Sequence, residues 1–152
     1  MGEETMPITG GCLCGAVRYE AREPPHMVHY CHCRMCQKST GSAFSVSAEF
    51  RVDRFQITLG DPTFYKSSDI GRRGFCTNCG SPLFFRYNDP DHQSIWVMIG
   101  TLDDPDAALP KQHLCVESQL SWLAINDGLP RAHSEDDPDF IAAKATIYQS
   151  EG

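Results

Sequence analysis

The chain has 152 residues, 41% of them apolar and 22% charged, with a formal charge of −7. That length holds one domain with a real core and not two, and the composition is that of a globular protein rather than a disordered chain. The negative balance argues against nucleic acid as a partner, because phosphates must be neutralised by Lys and Arg. The longest apolar run, Ile95-Trp96-Val97-Met98-Ile99, is strand-sized and far short of the ~20 residues of a membrane helix.

Residues 1–6 read as a polar tail with neither the basic nor the apolar stretch of a secretory leader. The expected location is therefore a reducing cytoplasm, where eight cysteines serve as metal ligands more readily than as disulfides. Gly11-Cys12-Leu13-Cys14-Gly15 comes next. Val17 and Tyr19 then alternate with Arg18 and Glu20, the pattern of a strand with one buried face. Pro24-Pro25 forces an extended turn. A strand over residues 27–31 leads into Cys31-His32-Cys33-Arg34-Met35-Cys36. On an extended chain residues i and i+2 share a face, so Cys31 and Cys33 look at one point while His32 faces away. A tight turn through Arg34 and Met35 returns Cys36 to that point. Residues 37–42 fit a helical turn or a loop ended by Gly41.

From Ala43 the pattern is mostly β. Phe44, Val46 and Ala48 alternate with serines, Phe50, Val52 and Phe55 continue in strand-like steps, and 56–59 is a short strand closed by Gly60-Asp61-Pro62. Residues 66–73 read as a polar loop. Cys76-Thr77-Asn78-Cys79-Gly80 is a metal knuckle: its turn aims backbone N–H groups at the thiolates, and Gly80 is expected to relieve crowding. Residues 94–101 and 112–117 are further strands, separated by the turn-rich Asp103-Asp104-Pro105-Asp106. Residues 132–139 are acidic and turn-like, and Phe140, Ile141, Lys144, Ile147 and Tyr148 at helical spacing favour a short C-terminal helix. Short strands with frequent Gly and Pro favour an all-β or β-rich fold with short helical turns.

The thiols sort into a C-x-C pair (Cys12, Cys14), a C-x-C-x-x-C trio (Cys31, Cys33, Cys36), a C-x-x-C pair (Cys76, Cys79) and Cys115. Two pairs make four, a complete tetrahedral site of the structural kind. The trio is then one ligand short, and Cys115 or His113 could complete it. Taken singly, Cys115 reads as a small buried hydrophobe. Zinc is preferred over an iron–sulfur cluster because a single C-x-C-x-x-C lacks the usual cluster runs. Seven thiolates holding two zinc ions would lower the charge by three more, to −10. His32 reads as a surface or hydrogen-bonded side chain rather than a ligand, and His113 as structural. Arg34, Lys38, Arg72 and Arg73 read as solvated charge, Lys38 and Arg73 being the two with a further chance of meeting a substrate carboxylate. Ser39 and Thr40 cap a turn, and Trp122 packs in the core or an interface.

With those motifs in place the chain resembles the glutathione-dependent formaldehyde-activating enzyme family, which includes centromere protein V-like domains. The resemblance is carried by Gly11-Cys12-Leu13-Cys14-Gly15 with Val17 and Tyr19, by Cys31-His32-Cys33 with Cys36 to Gly41, by Phe75 to Leu83, and by Glu117-Ser118, Trp122 and Asp127-Gly128-Leu129-Pro130. It implies a zinc-binding β-tent domain over residues 7–130, flanked by the tail 1–6 and an extension 131–152. By family pattern Cys12, Cys14, Cys76 and Cys79 hold a structural zinc, and Cys31, Cys33 and Cys36 a catalytic one. The implied activity is that of a carbon–sulfur lyase, read in reverse as joining formaldehyde to glutathione to give S-hydroxymethylglutathione. Its partner is then a small thiol or thiol adduct, with neither nucleic acid nor membrane. The alternative it implies is a zinc-stabilised interaction module without chemistry.

Overall fold

The computed structural model describes residues 7–136. In chain order the elements are β1 (Ile8–Gly11), β2 (Arg18–Ala21), β3 (Met27–Cys31), α1 (Arg34–Thr40), β4 (Ser45–Arg51), β5 (Phe55–Leu59), β6 (Thr63–Lys66), β7 (Gly71–Phe75), β8 (Pro82–Tyr87), β9 (Ser94–Met98) and β10 (Gln112–Leu114), with short 3-10 turns between some of them. The fold is β-rich, as the residue pattern predicts. Three strands form a small sheet in the order β1-β2-β5, and seven form a larger one in the order β10-β3-β4-β9-β8-β7-β6. Neighbours run antiparallel except β10, which lies parallel to β3. No helix among the described residues is long and apolar enough to cross a membrane.

Strand alternation decides what each face of the large sheet does. Val28, Ala48, Phe50, Phe84, Ile95 and Val97 point to one side and meet Tyr19 and Ala21 of the small sheet in a single buried cluster. Tyr19 anchors that core. Its ring stacks on Phe55 at 5.4 Å and meets Phe84 edge-on at 5.4 Å. Its hydroxyl, pushed well above the ordinary phenol value by burial, is hydrogen-bonded to Thr101 Oγ1 at 2.7 Å. The intervening residues, His29, Cys31, Ser45, Ser47, Trp96 and Met98, face the other way and line a chamber.

Some sequence expectations change at this level. The loop expected over 66–73 shrinks to 67–70: β6 and β7 form a hairpin whose turn is held by the Gly71 N–H donating to Ser68 Oγ at 3.0 Å. The strand expected over 94–101 stops at Met98, and the one over 112–117 stops at Leu114. The turn through Arg34 and Met35 is the first turn of α1, which Gly41 ends in a left-handed conformation (φ 68°). Gly80 is also left-handed (φ 78°), but a side chain there would meet nothing within 4 Å. Its reason is backbone conformation, not crowding. Trp122 is exposed and lies outside the core. The helix expected at 140–148 lies outside the described residues.

Candidate metal centre

The seven clustered thiols form two groups, and in each the sulfurs all lie within 4.8 Å of one another: Cys12, Cys14, Cys76 and Cys79 in one, Cys31, Cys33 and Cys36 in the other. A tetrahedral ion with ligands at about 2.3 Å needs sulfurs about 3.8 Å apart. In the first group Cys12 and Cys14 stand 3.6 Å apart and Cys14 and Cys76 3.8 Å. An all-sulfur donor set at this spacing fits zinc.

Local structure explains why the four-thiol group converges. The C-x-C lies in a turn where the Gly15 N–H donates to Cys12 O, and the C-x-x-C in one where the Gly80 N–H donates to Cys76 O at 2.8 Å. Each turn directs N–H groups at sulfur: Val17 N to Cys12 Sγ at 3.2 Å and Cys79 N to Cys76 Sγ at 3.4 Å. Side chains add to this, with Asn78 Nδ2 donating to Cys14 Sγ at 3.3 Å and Ser81 Oγ to Cys79 Sγ at 3.1 Å. The Ser81 hydroxyl and amide bring the Cys79 thiol down to about 5, so this ligand is available as thiolate at neutral pH.

The trio is arranged by β3 and α1. Cys31 ends β3, Cys33 is the N-cap of α1, and Cys36 sits in its first turn, its N–H donating to Cys33 Sγ at 3.3 Å. Hydrogen bonds from Cys115, Cys31 and Cys36 converge on Cys33 and hold its thiol far below the ordinary value. All three trio residues are buried. Cys31 and Cys36 form part of the wall of a chamber of about 50 Å³, which has room for roughly three to five water-sized groups. His29, Ser45, Ser47, Trp96 and Met98 are among the other residues of the wall. Met35, Ser67, Arg73 and Met98 are shared with a broader neighbouring groove of about 510 Å³ that Lys38 also lines. The Arg73 guanidinium lies 5.1 Å over the Phe85 ring, and its charge acts on the Cys36 sulfur.

Behind the trio runs a buried chain of polar groups. His32 Nε2 and His113 Nδ1 are 2.9 Å apart, and His113 Nε2 is 2.8 Å from Asp127 Oδ2. A carboxylate only accepts, so His113 donates from Nε2 and its Nδ1 accepts from His32. Both imidazoles are fully buried, and Tyr30 stacks on His113 at 4.3 Å. Burial pushes His32 down to about 4, so it is neutral at physiological pH. Its remaining nitrogen, Nδ1, has no partner. Gln37 pins the same loop by donating to His32 O at 2.8 Å and Ser118 O at 3.0 Å.

The structure thus brings together all seven cysteines that spacing groups, and puts Lys38 and Arg73 on the groove beside the trio. Arg72 is engaged elsewhere, donating to Tyr87 O at 2.9 Å and lying 5.6 Å over Phe64, and Arg34 is hydrogen-bonded to Gln37. His32 is hydrogen-bonded, as expected of it, though fully buried and not at the surface. Ser39 and Thr40 donate to Cys36 O, closing the helix. His29, Ser47 and Trp96 were not singled out by sequence. Their signal was the two-residue alternation that places them on the Cys31 side of the large sheet.

A β-rich frame carrying a four-thiol group and a three-thiol group at a chamber wall defines a class of protein, and the comparisons identify it. The chain belongs to the glutathione-dependent formaldehyde-activating enzyme family, whose model matches residues 7–118. A Halomonas elongata protein whose name places it in that family is 27% identical over 130 residues, covering 79% of this chain and 82% of its own length. An uncharacterized lyase of Schizosaccharomyces pombe is 32% identical over 97 residues, 60% of this chain and 68% of its own. The crystal structure of a Rhodobacter sphaeroides protein shares the fold with a TM-score of 0.50 at 18% identity, over 82% of this chain and 99% of that one.

Proposed function

We propose that the protein is a zinc-dependent carbon–sulfur lyase, or in the opposite direction a synthase, acting on a small thiol adduct of the S-(hydroxymethyl)glutathione type in the cytoplasm. In this reading residues 7–130 form the zinc-binding domain. Cys12, Cys14, Cys76 and Cys79 hold a structural zinc, while Cys31, Cys33 and Cys36 hold the catalytic one. One observation carries it: three buried thiols converge, two of them at the wall of a chamber that adjoins a broader groove. Zinc on three thiolates lowers the pKa of an incoming thiol and suits a soft sulfur ligand.

The chain's own residues supply the rest. The chamber is the place for the reacting end of the adduct, while Lys38 and Arg73 give the groove a positive lining for a carboxylate-bearing thiol. In synthesis the thiolate sulfur bonds to the aldehyde carbon and the carbonyl oxygen takes up a proton; lysis reverses both. His29, Ser45 and Ser47, which share strands β3 and β4 with Cys31 or its partner, are wall groups that carry exchangeable protons. The test is Cys36→Ser, with zinc content and adduct cleavage measured together. The expected result is loss of cleavage, with the four-thiol zinc retained. Full activity with one zinc lost would remove the proposal.

A further inference from the structure

Cys115 is the one thiol outside the two metal-sized groups, and its surroundings are unusual for an inert hydrophobe. It is 1% exposed and packs in one cluster with Cys31, Cys33 and Cys36. Its thiol acts electrostatically on those of both Cys31 and Cys33. It is also the only described non-glycine residue with a positive φ (58°). A side chain in that conformation is strained, and such strain persists where surrounding structure imposes it, often at functional sites. Here the imposing structure is β10, which lies parallel to β3 with Leu114 opposite Cys31. The His32 N–H donates to Leu114 O at 3.0 Å on one side of the turn, and the Val116 N–H to Ala132 O at 3.1 Å on the other. The left-handed residue breaks the alternation of the strand just where its sulfur comes to the trio.

We propose that Cys115 supplies the fourth sulfur ligand of the ion held by Cys31, Cys33 and Cys36 in the substrate-free protein. Cys115 packs against the trio but stands outside the set of three whose sulfurs are mutually within 4.8 Å, and it does not line the chamber. It would therefore meet such an ion from the β10 side and not from the chamber. With such an ion bound, a thiol entering through the chamber would exchange with Cys115, thiolate for thiolate, and the proton of the incoming thiol would pass to the Cys115 sulfur. The charge at the ion does not change.

The ligand assignment is independent of the lyase reading, and the exchange rests on that reading. The test is 113Cd NMR of the cadmium-loaded full chain, in which the chemical shift reports the number of sulfur ligands at each ion. The wild type is expected to give two signals, both in the four-sulfur range. Cys115→Ser, or Cys115→Gly where the left-handed backbone favours glycine, should move one signal to the three-sulfur range and leave the other in place. The same variants should release their second metal to a chelator at least about ten times faster than wild type, the scale of losing a ligand-shell partner. A wild-type spectrum with one three-sulfur signal, a single bound ion, or variants with both signals unmoved overturns the assignment. If neither variant folds, the wild-type spectrum alone decides. Glutathione added to a variant should return its shifted signal to the four-sulfur range. If it does not, the lyase reading fails while the Cys115 ligand stands.

Discussion

The thiolates of the four-thiol group depend on single donors around them. Ser81 serves two ends of the site: its hydroxyl donates to Cys79 Sγ and accepts from the Leu13 N–H at 3.0 Å, joining the C-x-x-C turn to the C-x-C turn. Outer-shell donors of this kind are worth about 10- to 100-fold in metal affinity. Ser81→Ala should therefore raise the Cys79 pKa and weaken retention of one of two bound ions by about tenfold, as measured by chelator competition. Another prediction concerns Asp103, which the Arg18 guanidinium, with help from Thr9, holds down at about 2 instead of 3.8. A carboxylate with a depressed folded-state pKa stabilises the protein above its unfolded value, and that contribution is lost as pH falls through the folded value. Both partners are more than a third exposed, so the contribution at neutral pH is at most about 1 kcal/mol. Asp103→Asn should melt below wild type at pH 7, and the gap should begin to shrink below pH 3.8 and close near 2.

Among the elements, α1 carries part of the trio and β10 flanks it, and they differ in how far sequence reveals them. The helix is short, and it ends because Gly41 adopts φ 68° with its N–H on Gln37 O. A side chain there meets nothing within 4 Å, so only backbone conformation opposes it. Gly41→Ala should cost about 1 kcal/mol, lowering the Tm by about 2–4 °C with both metals still bound. The cysteine groups were legible because ligand spacing within seven residues is local chemistry that the fold cannot change. The serines of β4 were legible as an alternation but not as a chamber wall, since that needs β3, β8 and β9 placed beside them. His32, His113 and Asp127 were legible only singly: 81 residues separate the two imidazoles, and 14 separate His113 from the carboxylate. Only the parallel pairing of β10 with β3 brings them together. Cys115 belongs with them. As a lone cysteine it carried no spacing, and the left-handed turn that aims it is invisible in a non-glycine residue.

At the scale of the whole molecule, the four-thiol group joins the two sheets. Cys12 and Cys14 follow β1 of the small sheet, and Cys76 and Cys79 connect β7 to β8 of the large one. The core around Tyr19 holds the same sheets together, so loss of the metal should loosen the small sheet without unfolding the large one. Cys76→Ser is expected to lower hydrogen-exchange protection of the β1 and β2 amides by at least about tenfold. The central β4 and β9 amides should change little; equal loss in both sheets would show that the site does not act as a staple.

The place of β10 at the edge of the large sheet has a consequence for biosynthesis. A nascent chain releases all four cysteines of the staple once residue 79 is free, but the strand that covers β3 emerges more than thirty residues later. Until then one margin of the seven-stranded sheet is bare, a template for unwanted strand pairing. The end of β3 that carries Cys31 is thus covered late, by the same short strand that protects the chain from its neighbours.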